Sequence, residues 1–185
     1  MFILYAVLIG LAIGLLRGGH PRGLADLQFR WPWLMIGGLF VQIVIFSDQV
    51  TVWIGSAGAP IYVASTTAVF LAVLASRSIT GMPIVAAGAA CNLAAIAANG
   101  GYMPVDAGAL MALGRVPSTV YSNSALVPHA VLAPLTDIFA LPAWLPFANV
   151  FSVGDVLIAI GVAVVITAAM RRGSATPLIE GPAAA

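Results

Sequence analysis

Charged residues are scarce in this sequence, which has seven arginines, no lysine and six acidic residues in 185 positions. They make up 7% of the chain, whereas about a quarter of the residues in a soluble domain are charged. The formal charge is only +1, and the arginines are scattered rather than gathered in one patch. This composition excludes an ordinary soluble domain and argues against a nucleic-acid partner.

Cysteine and histidine are also rare. Cys91 is the only cysteine, so a disulfide within the chain is excluded and a thiolate metal cluster is disfavoured. His20 and His129 fall on opposite sides of the topology predicted below, which prevents them from forming one metal site. The sequence contains no zinc spacing, phosphate-binding loop or nucleophile elbow. We therefore expect neither a metal nor a cofactor.

Apolar residues dominate, at 62% of the chain with a mean hydropathy of +1.08. They form five stretches separated by arginine-bearing breaks, which is typical of helices that cross a bilayer. The sequence predicts an all-α, five-helix transmembrane bundle with a single domain over 1–172 and a short cytoplasmic tail over 173–185. Four spans, with the first or second stretch re-entrant, are the alternative. The predicted helices are 2–16, 33–46, 60–75, 83–98 and 152–170.

The arginines predict an orientation for these five helices. Six follow the first, third or fifth stretch, and only Arg115 falls on the other side. Because arginine-rich loops stay in the cytoplasm, we expect the N-terminus outside and the C-terminus inside a bacterial cytoplasmic membrane. The first stretch lacks a basic leader and an obvious cleavage site, which predicts a retained helix. The six arginines are Arg17, Arg22, Arg30, Arg77, Arg171 and Arg172.

The segment after the first stretch mixes arginine and tryptophan. Arg17, Arg22 and Arg30 are followed by Trp31 and Trp33. Arginine and tryptophan both favour the headgroup level of a membrane. We expect these five residues to contact lipid headgroups.

Small and polar residues predict how the helices pack. Gly10, Gly14 and Gly18 repeat every four residues, which would give the first helix a flat face for close packing. Gln42 and Asn92 are the only strongly polar side chains well inside the predicted helices. We expect each to form a hydrogen bond to another helix.

A connection of about fifty residues, 99–151, which is rich in apolar residues, precedes the last helix. Connections of this length usually carry function. Asn99-Gly100-Gly101 is typical of a helix stop, in which glycine adopts a left-handed turn. A ligand-binding role is the alternative. The candidate ligand or structural residues around this connection are Asn99, Gly100, Gly101, Met103, Pro104, Asn149 and Ser152.

Six segments of this chain are distinctive in combination: Asn99-Gly-Gly-Tyr-Met-Pro-Val, Leu135-Thr-Asp-Ile, Asn149-Val-Phe-Ser-Val-Gly-Asp-Val-Leu-Ile, Arg17-Gly-Gly, Phe29-Arg-Trp and Gln42. They resemble the recurring segments of a bacterial family of small multi-pass membrane proteins known as domain of unknown function 5317. The resemblance spans nearly the whole chain and implies a membrane fold without implying an activity.

Asp137 and Asp155 also resemble the aspartate pair of lipoprotein signal peptidase, which has one aspartate in an outer connection and another at the start of its last helix. This chain departs from that motif, with Gly154 in place of alanine and Ser152 in place of asparagine. Two neighbouring carboxylates can share a proton, so that one activates water while the other protonates a carbonyl. The resemblance implies an intramembrane aspartyl hydrolase.

A structural explanation competes for both aspartates. Ser152 and Asp155 have the spacing of a capping box, and Asp137 beside Thr136 could cap a single turn. With no ionisable residue near the centre of a span, we expect a non-enzymatic accessory or scaffold subunit, or a binder of lipid or a small apolar ligand. Membrane lipids and a membrane-protein partner are the expected partners. The aspartyl hydrolase is the alternative.

Overall fold

The computed structural model describes residues 2–114, 124–127 and 129–173. Helices dominate it, and the strands are pairs of two residues each. The helices are α1 (Phe2–Leu16), α2 (Pro32–Ile45), α3 (Asp48–Ile54), α4 (Gly58–Ala75), α5 (Met82–Ala98), α6 (Ala107–Ala112) and α7 (Val153–Gly173). The strands are β1 (Met103–Pro104), β2 (Ser124–Ala125), β3 (Phe139–Ala140) and β4 (Val150–Phe151).

The five predicted helices correspond to α1, α2, α4, α5 and α7, with bounds that differ by three residues or fewer. Ser152 was predicted inside the last helix but lies just before it, where it caps α7. The sequence did not predict α3, which joins α4 through a 3₁₀ turn at Gly55–Ala57. Gly55 has a φ of +51°, a left-handed conformation that glycine adopts readily.

Two helical segments of the described chain are long and apolar enough to cross a membrane. They are Gln49–Ala75, with 27 residues, and Val153–Gly173, with 21 residues. The other apolar helices, Phe2–Leu16, Pro32–Ile45 and Met82–Ala98, are shorter. These two helices support the predicted membrane association.

The five longer helices pack as neighbours in the order α1, α7, α5, α4, α2. α1 and α7 run in the same direction, because Gly10 lies against Ala163 and Gly14 lies against Met170. α5 and α7 run in opposite directions, because Gly81 meets Gly161 while Gly88 meets Gly154. A β-carbon on Gly81 would lie 2.7 Å from the Gly161 carbonyl oxygen, so these glycines permit backbone contact between helices.

The prediction of a flat glycine face on α1 is confirmed for Gly10 and Gly14. It is wrong for Gly18, which has a φ of +73° and lies beyond the helix in a turn with open space around its α-carbon. The left-handed turn ends α1 and directs the chain toward α7, where the His20 amide donates to the Met170 carbonyl at 2.9 Å. Glycine at this position therefore ends the helix rather than packing it.

The helix directions place six arginines at one end of the molecule. Arg17 follows α1, Arg30 precedes α2, Arg77 follows α4, and Arg171 lies in the last turn of α7. Arg22 and Arg172 belong to the same end, where Gly23 contacts Ala169 and Arg172 donates to Thr80 at 3.2 Å. We call this the arginine end. Arg115 lies outside the described residues.

The opposite end, which we call the carboxylate end, holds the described part of the connection 99–151, which includes Asp137, together with Asp155. Where it is described, this connection contains a parallel pair, β1 with β2, and an antiparallel pair, β3 with β4. Phe151 of β4 stacks on Phe2 of α1, with ring centroids 4.4 Å apart. The connection therefore packs on the helix ends rather than extending away from them.

Candidate functional site

The start of α7 carries the predicted capping box. The Ser152 hydroxyl accepts a hydrogen bond from the Asp155 amide at 3.0 Å, and the Asp155 carboxylate accepts one from the Ser152 amide at 3.0 Å. These two bonds satisfy amide groups that the first turn of a helix leaves free. Ser152 is completely buried. The capping-box prediction is confirmed.

Asn92 of α5 joins the box to the neighbouring helix. Its amide nitrogen donates to the second Asp155 oxygen at 2.9 Å, and its carbonyl oxygen accepts from the Ser152 hydroxyl at 2.8 Å. We call Asn92, Ser152 and Asp155 the cap network. The predicted helix-to-helix use of Asn92 is confirmed, as is that of Gln42, which donates to Thr66 of α4 at 3.3 Å.

Gly154 makes room for the cap network. A β-carbon at this position would collide with the Asn92 side-chain oxygen and would lie 2.8 Å from the Gly88 carbonyl oxygen. Alanine cannot replace it without moving α5 away from α7. The glycine that distinguishes this chain from the peptidase motif therefore has a packing reason.

Asp137 is held by the backbone of the connection rather than by a helix cap. It forms an isolated parallel bridge with Val105, in which its amide donates to the Pro104 carbonyl and its carbonyl accepts from the Asp106 amide, both at 3.0 Å. The prediction that Asp137 caps a turn is wrong, because bridge formation extends the chain at this residue. Thr136 closes the preceding 3₁₀ turn, donating to Ala133 at 2.7 Å.

The two carboxyl groups differ in environment. Asp137 is only 7% exposed, and among the described residues no group donates a hydrogen bond to its carboxyl oxygens. Burial, with a further contribution from the charge of Asp155, raises the pKa of Asp137 to about 7. Asp155 receives two hydrogen bonds instead. One group is thus suited to hold a proton near neutral pH while its neighbour accepts hydrogen bonds.

Asn99 fastens the connection to the end of α5. Its side-chain nitrogen donates to the carbonyls of Ala95 and Val131, both at 2.8 Å, and its oxygen accepts from the Val131 amide at 2.9 Å. Gly100 and Gly101 have φ angles of +72° and +90°. The predicted helix stop is confirmed, with an additional clamp on Val131 that the sequence did not indicate.

The other candidate residues of the connection lie in or beside its short strands. Met103 and Pro104 are buried in β1, directly before the bridge that holds Asp137. The Asn149 carbonyl accepts from the Leu141 amide at 3.1 Å beside the β3–β4 pair. These residues support the backbone around the two aspartates.

The residues predicted to contact headgroups lie at the arginine end, away from the aspartates. Trp31 is 58% exposed and Trp33 is 81% exposed. The backbone of Arg30 is anchored, because its amide donates to the buried Ser76 hydroxyl at 2.9 Å. Arg30 and Arg77 line an open depression of about 660 Å³. The structure therefore separates the predicted candidates into two groups at opposite ends.

Within the described part of the chain, no group of three His, Cys, Asp or Glu residues could hold a metal ion. His20 accepts a hydrogen bond from the Arg22 amide at 3.1 Å and caps the 3₁₀ turn Pro21–Leu24. The absence of a cofactor remains a prediction.

Sequence reasoning missed the partner of Asn92 and the bridge partner of Asp137. The sequence did contain a signal for the partner of Asn92. Asn92 is the one strongly polar side chain in α5, Gly88 lies one turn before it, and Gly154 faces it from α7. The Val105–Asp137 bridge has no such signal, because it joins residues far apart in sequence.

A family model described as a family of unknown function, DUF5317, matches residues 26–167 of this chain. The chain belongs to this family. The matched region contains the cap network, Asp137, the Asn99 clamp, three of the five longer helices and the first 15 residues of α7. The predicted resemblance is confirmed. No match was found among curated proteins or solved structures.

Proposed function

We propose that this DUF5317 protein is a five-span integral protein of a bacterial cytoplasmic membrane, with its arginine end in the cytoplasm. Three observations support the proposal: the antiparallel packing of α5 and α7, the clustering of six arginines at one end, and the apolar side chains exposed along the helices. Exposed isoleucine, leucine and tryptophan side chains on α1 and α2 suit lipid rather than water.

We further propose that the protein is a non-enzymatic binder of membrane lipid that acts as an accessory subunit. The observation that carries this proposal is a set of apolar depressions open at the sides of the helices. Two of them lie between α1 and α7, with volumes of about 430 and 250 Å³. The smaller is lined by apolar surface, and sites of a few hundred Å³ with a few polar groups suit small apolar ligands.

Native mass spectrometry of the full chain, purified from membranes in mild detergent, tests the lipid-binding proposal. We expect adducts with phospholipid masses that withstand gentle activation and reappear when delipidated protein is given a membrane lipid extract. A co-purified membrane protein in addition would support the accessory role. A bare monomer before and after lipid addition would overturn the proposal.

The electrostatic coupling of Asp137 to Asp155 favours a second candidate, an aspartyl hydrolase acting on a peptide or a lipid headgroup. A protonated Asp137 would donate to the substrate carbonyl oxygen while ionised Asp155 takes a proton from the attacking water. Each Asp155 oxygen accepts one hydrogen bond and keeps a lone pair for this purpose. Its activity would fall as the pH rises above about 7, because Asp137 would lose its proton.

Conservative amide variants test the hydrolase against its structural alternative. Asp137→Asn and Asp155→Asn should each abolish hydrolysis of a peptide or phospholipid substrate while the protein remains folded, as a cooperative melting transition shows. Asp106→Asn changes a cap at the same end of the molecule and should leave turnover intact. Turnover that persists in either test variant would end the hydrolase hypothesis.

A further inference from the structure

We propose that the groove between α1 and α7 binds one anionic phospholipid, with an acyl chain along its apolar length and the phosphate between Arg17 and Arg171. This inference rests on the proposed lipid-binding function and assigns the lipid class and the site.

The groove consists of two adjoining depressions along the two helices. Its smaller part, toward the carboxylate end, begins at Phe2 and Val156. Its larger part ends at Arg17 and Arg171. Both parts are lined by Ile160 and Ala163, so they join at the middle of α7. Together the two depressions follow the helices from Phe2 to Arg17, which suits an extended hydrocarbon chain.

The parallel direction of α1 and α7 explains why the groove is apolar over most of its length and charged at one end. Gly10 and Gly14 bring the helix backbones together, and larger side chains form the rim. Ile9 is 53% exposed, Ile13 is 36% exposed and Ile160 is 49% exposed. Contiguous exposed aliphatic side chains of this kind mark a surface that an apolar partner covers.

The charge at the end of the groove has no counter-ion among the described residues. Arg17 and Arg171 are exposed, and no described carboxylate forms an ion pair with either. Arg172, in contrast, donates to Thr80 of the α4–α5 turn, which directs it away from the groove. Two guanidinium groups can bind phosphate oxygens with paired hydrogen bonds, and this favours an anionic headgroup.

The depression at Arg30 and Arg77 provides the comparison within the same molecule. It also carries two arginines, but it lies at the α4–α5 turn and its lining includes Ser78 and Pro83. Its lining residues are not shared with the two depressions between α1 and α7. Charge alone would attract an anionic lipid to both places, whereas the combination of charge and groove selects Arg17 and Arg171.

Lipid titration with native mass spectrometry tests this site in the full chain. Delipidated protein is given phosphatidylglycerol or phosphatidylcholine with identical acyl chains. We expect wild type to hold phosphatidylglycerol more tightly, and Arg17→Gln/Arg171→Gln to weaken that binding roughly tenfold. Arg77→Gln/Arg172→Gln removes the same charge at the same end of the molecule, from residues outside the groove and outside the predicted headgroup contacts, and should keep the wild-type preference.

A second variant tests the apolar length of the groove. Ile160→Trp places a large side chain where the two parts join, and it should weaken the binding of both lipids without removing an arginine. We expect the melting temperature of this variant and of each arginine variant to stay close to that of wild type, because all five altered side chains are exposed.

The outcomes separate this inference from the lipid-binding function. Lipid bound without preference for the anionic headgroup, or equal weakening by the two arginine double variants, would overturn the groove assignment and leave lipid binding in place. Wild type that binds neither lipid would overturn both.

Discussion

At the scale of single residues, two aspartates at one end of the molecule have opposite surroundings. Asp155 accepts hydrogen bonds from an amide nitrogen of α5 and from its own helix start, whereas Asp137 is buried in a backbone bridge. Hydrogen bonds favour the charged form of a carboxyl group and burial favours the neutral form. Burial therefore lets Asp137 hold a proton, whereas the cap network uses the Asp155 carboxyl oxygens as hydrogen-bond acceptors.

The raised pKa of Asp137 predicts a pH dependence of stability. Its folded pKa is about 7 and its ordinary value is 3.8, so between these pH values the folded protein holds a proton that the unfolded chain releases. Stability should therefore fall as the pH rises from about 4 to 7, by at most roughly 4 kcal/mol, and stay low above 7. Melting temperatures in detergent at pH 5 and pH 8 measure it.

Asp137→Asn should remove this decrease and give a variant more stable than wild type at pH 8. Asp106→Asn, which alters an exposed cap on α6, should keep the wild-type slope. A wild-type melting temperature that is the same at both pH values would contradict the buried, proton-holding state of Asp137.

The close contact at Gly154 predicts a large effect of a single methyl group. Gly154→Ala should destabilise the protein by about 1–3 kcal/mol, because the new β-carbon collides with Asn92 and overpacks the α5–α7 contact. Gly37→Ala in α2, where a β-carbon meets open space, should leave stability unchanged or raise it by up to about 1 kcal/mol. Thermal melting of both variants in one detergent decides, and equal melting temperatures would refute the predicted collision.

At the scale of secondary-structure elements, long apolar stretches and local caps could be predicted from sequence because neighbouring residues determine them. The Ser152–Asp155 box lies within one helical turn, and the Asn99 stop lies at one helix end. The strands could not be predicted, since two-residue strands are too short to show alternation. Helix α3 was missed because glycines at 55 and 58 interrupt the apolar pattern after it.

The Asn99 clamp predicts how the connection is fastened to α5. Asn99→Ala removes three side-chain hydrogen bonds and should increase amide hydrogen exchange at Val131 and its neighbours. Asn99→Asp keeps the oxygen that accepts from Val131 and should give an intermediate increase. Hydrogen-exchange mass spectrometry measures both, and unchanged exchange at Val131 in the alanine variant would show that other contacts hold the segment.

At the scale of the whole molecule, the directions of the helices place six arginines at one end and Asp137 and Asp155 at the other, which defines one axis along the helices. The sequence indicated this axis through the arginine distribution, but the neighbour order α1, α7, α5, α4, α2 could not be read from it. That order depends on backbone contacts such as Gly88 with Gly154, which join helices distant in sequence.

Reporter fusions test the proposed orientation in the membrane. Fusions after Leu16, Ala75 and Met170 should report the cytoplasm, and a fusion after Phe46 should report the outside, because arginine-rich segments are retained in the cytoplasm. An N-terminal tag should be accessible from outside. Cytoplasmic signal from that tag, or equal signal on both sides of α2, would contradict five spans.

The neighbour order places the two shortest of the five longer helices at the two edges of the row. The outermost helices, α1 and α2, have 15 and 14 residues and rise about 22 Å, whereas α7 has 21 residues and rises about 31 Å. The apolar part of α7, Val153 to Met170, rises about 27 Å, so a bilayer that matches it is too thick for α1 beside it. In the proposed five-span arrangement the lipid must therefore thin locally at both edges. Hydrophobic mismatch of this kind sorts proteins toward thinner membrane regions and favours contact with other short helices.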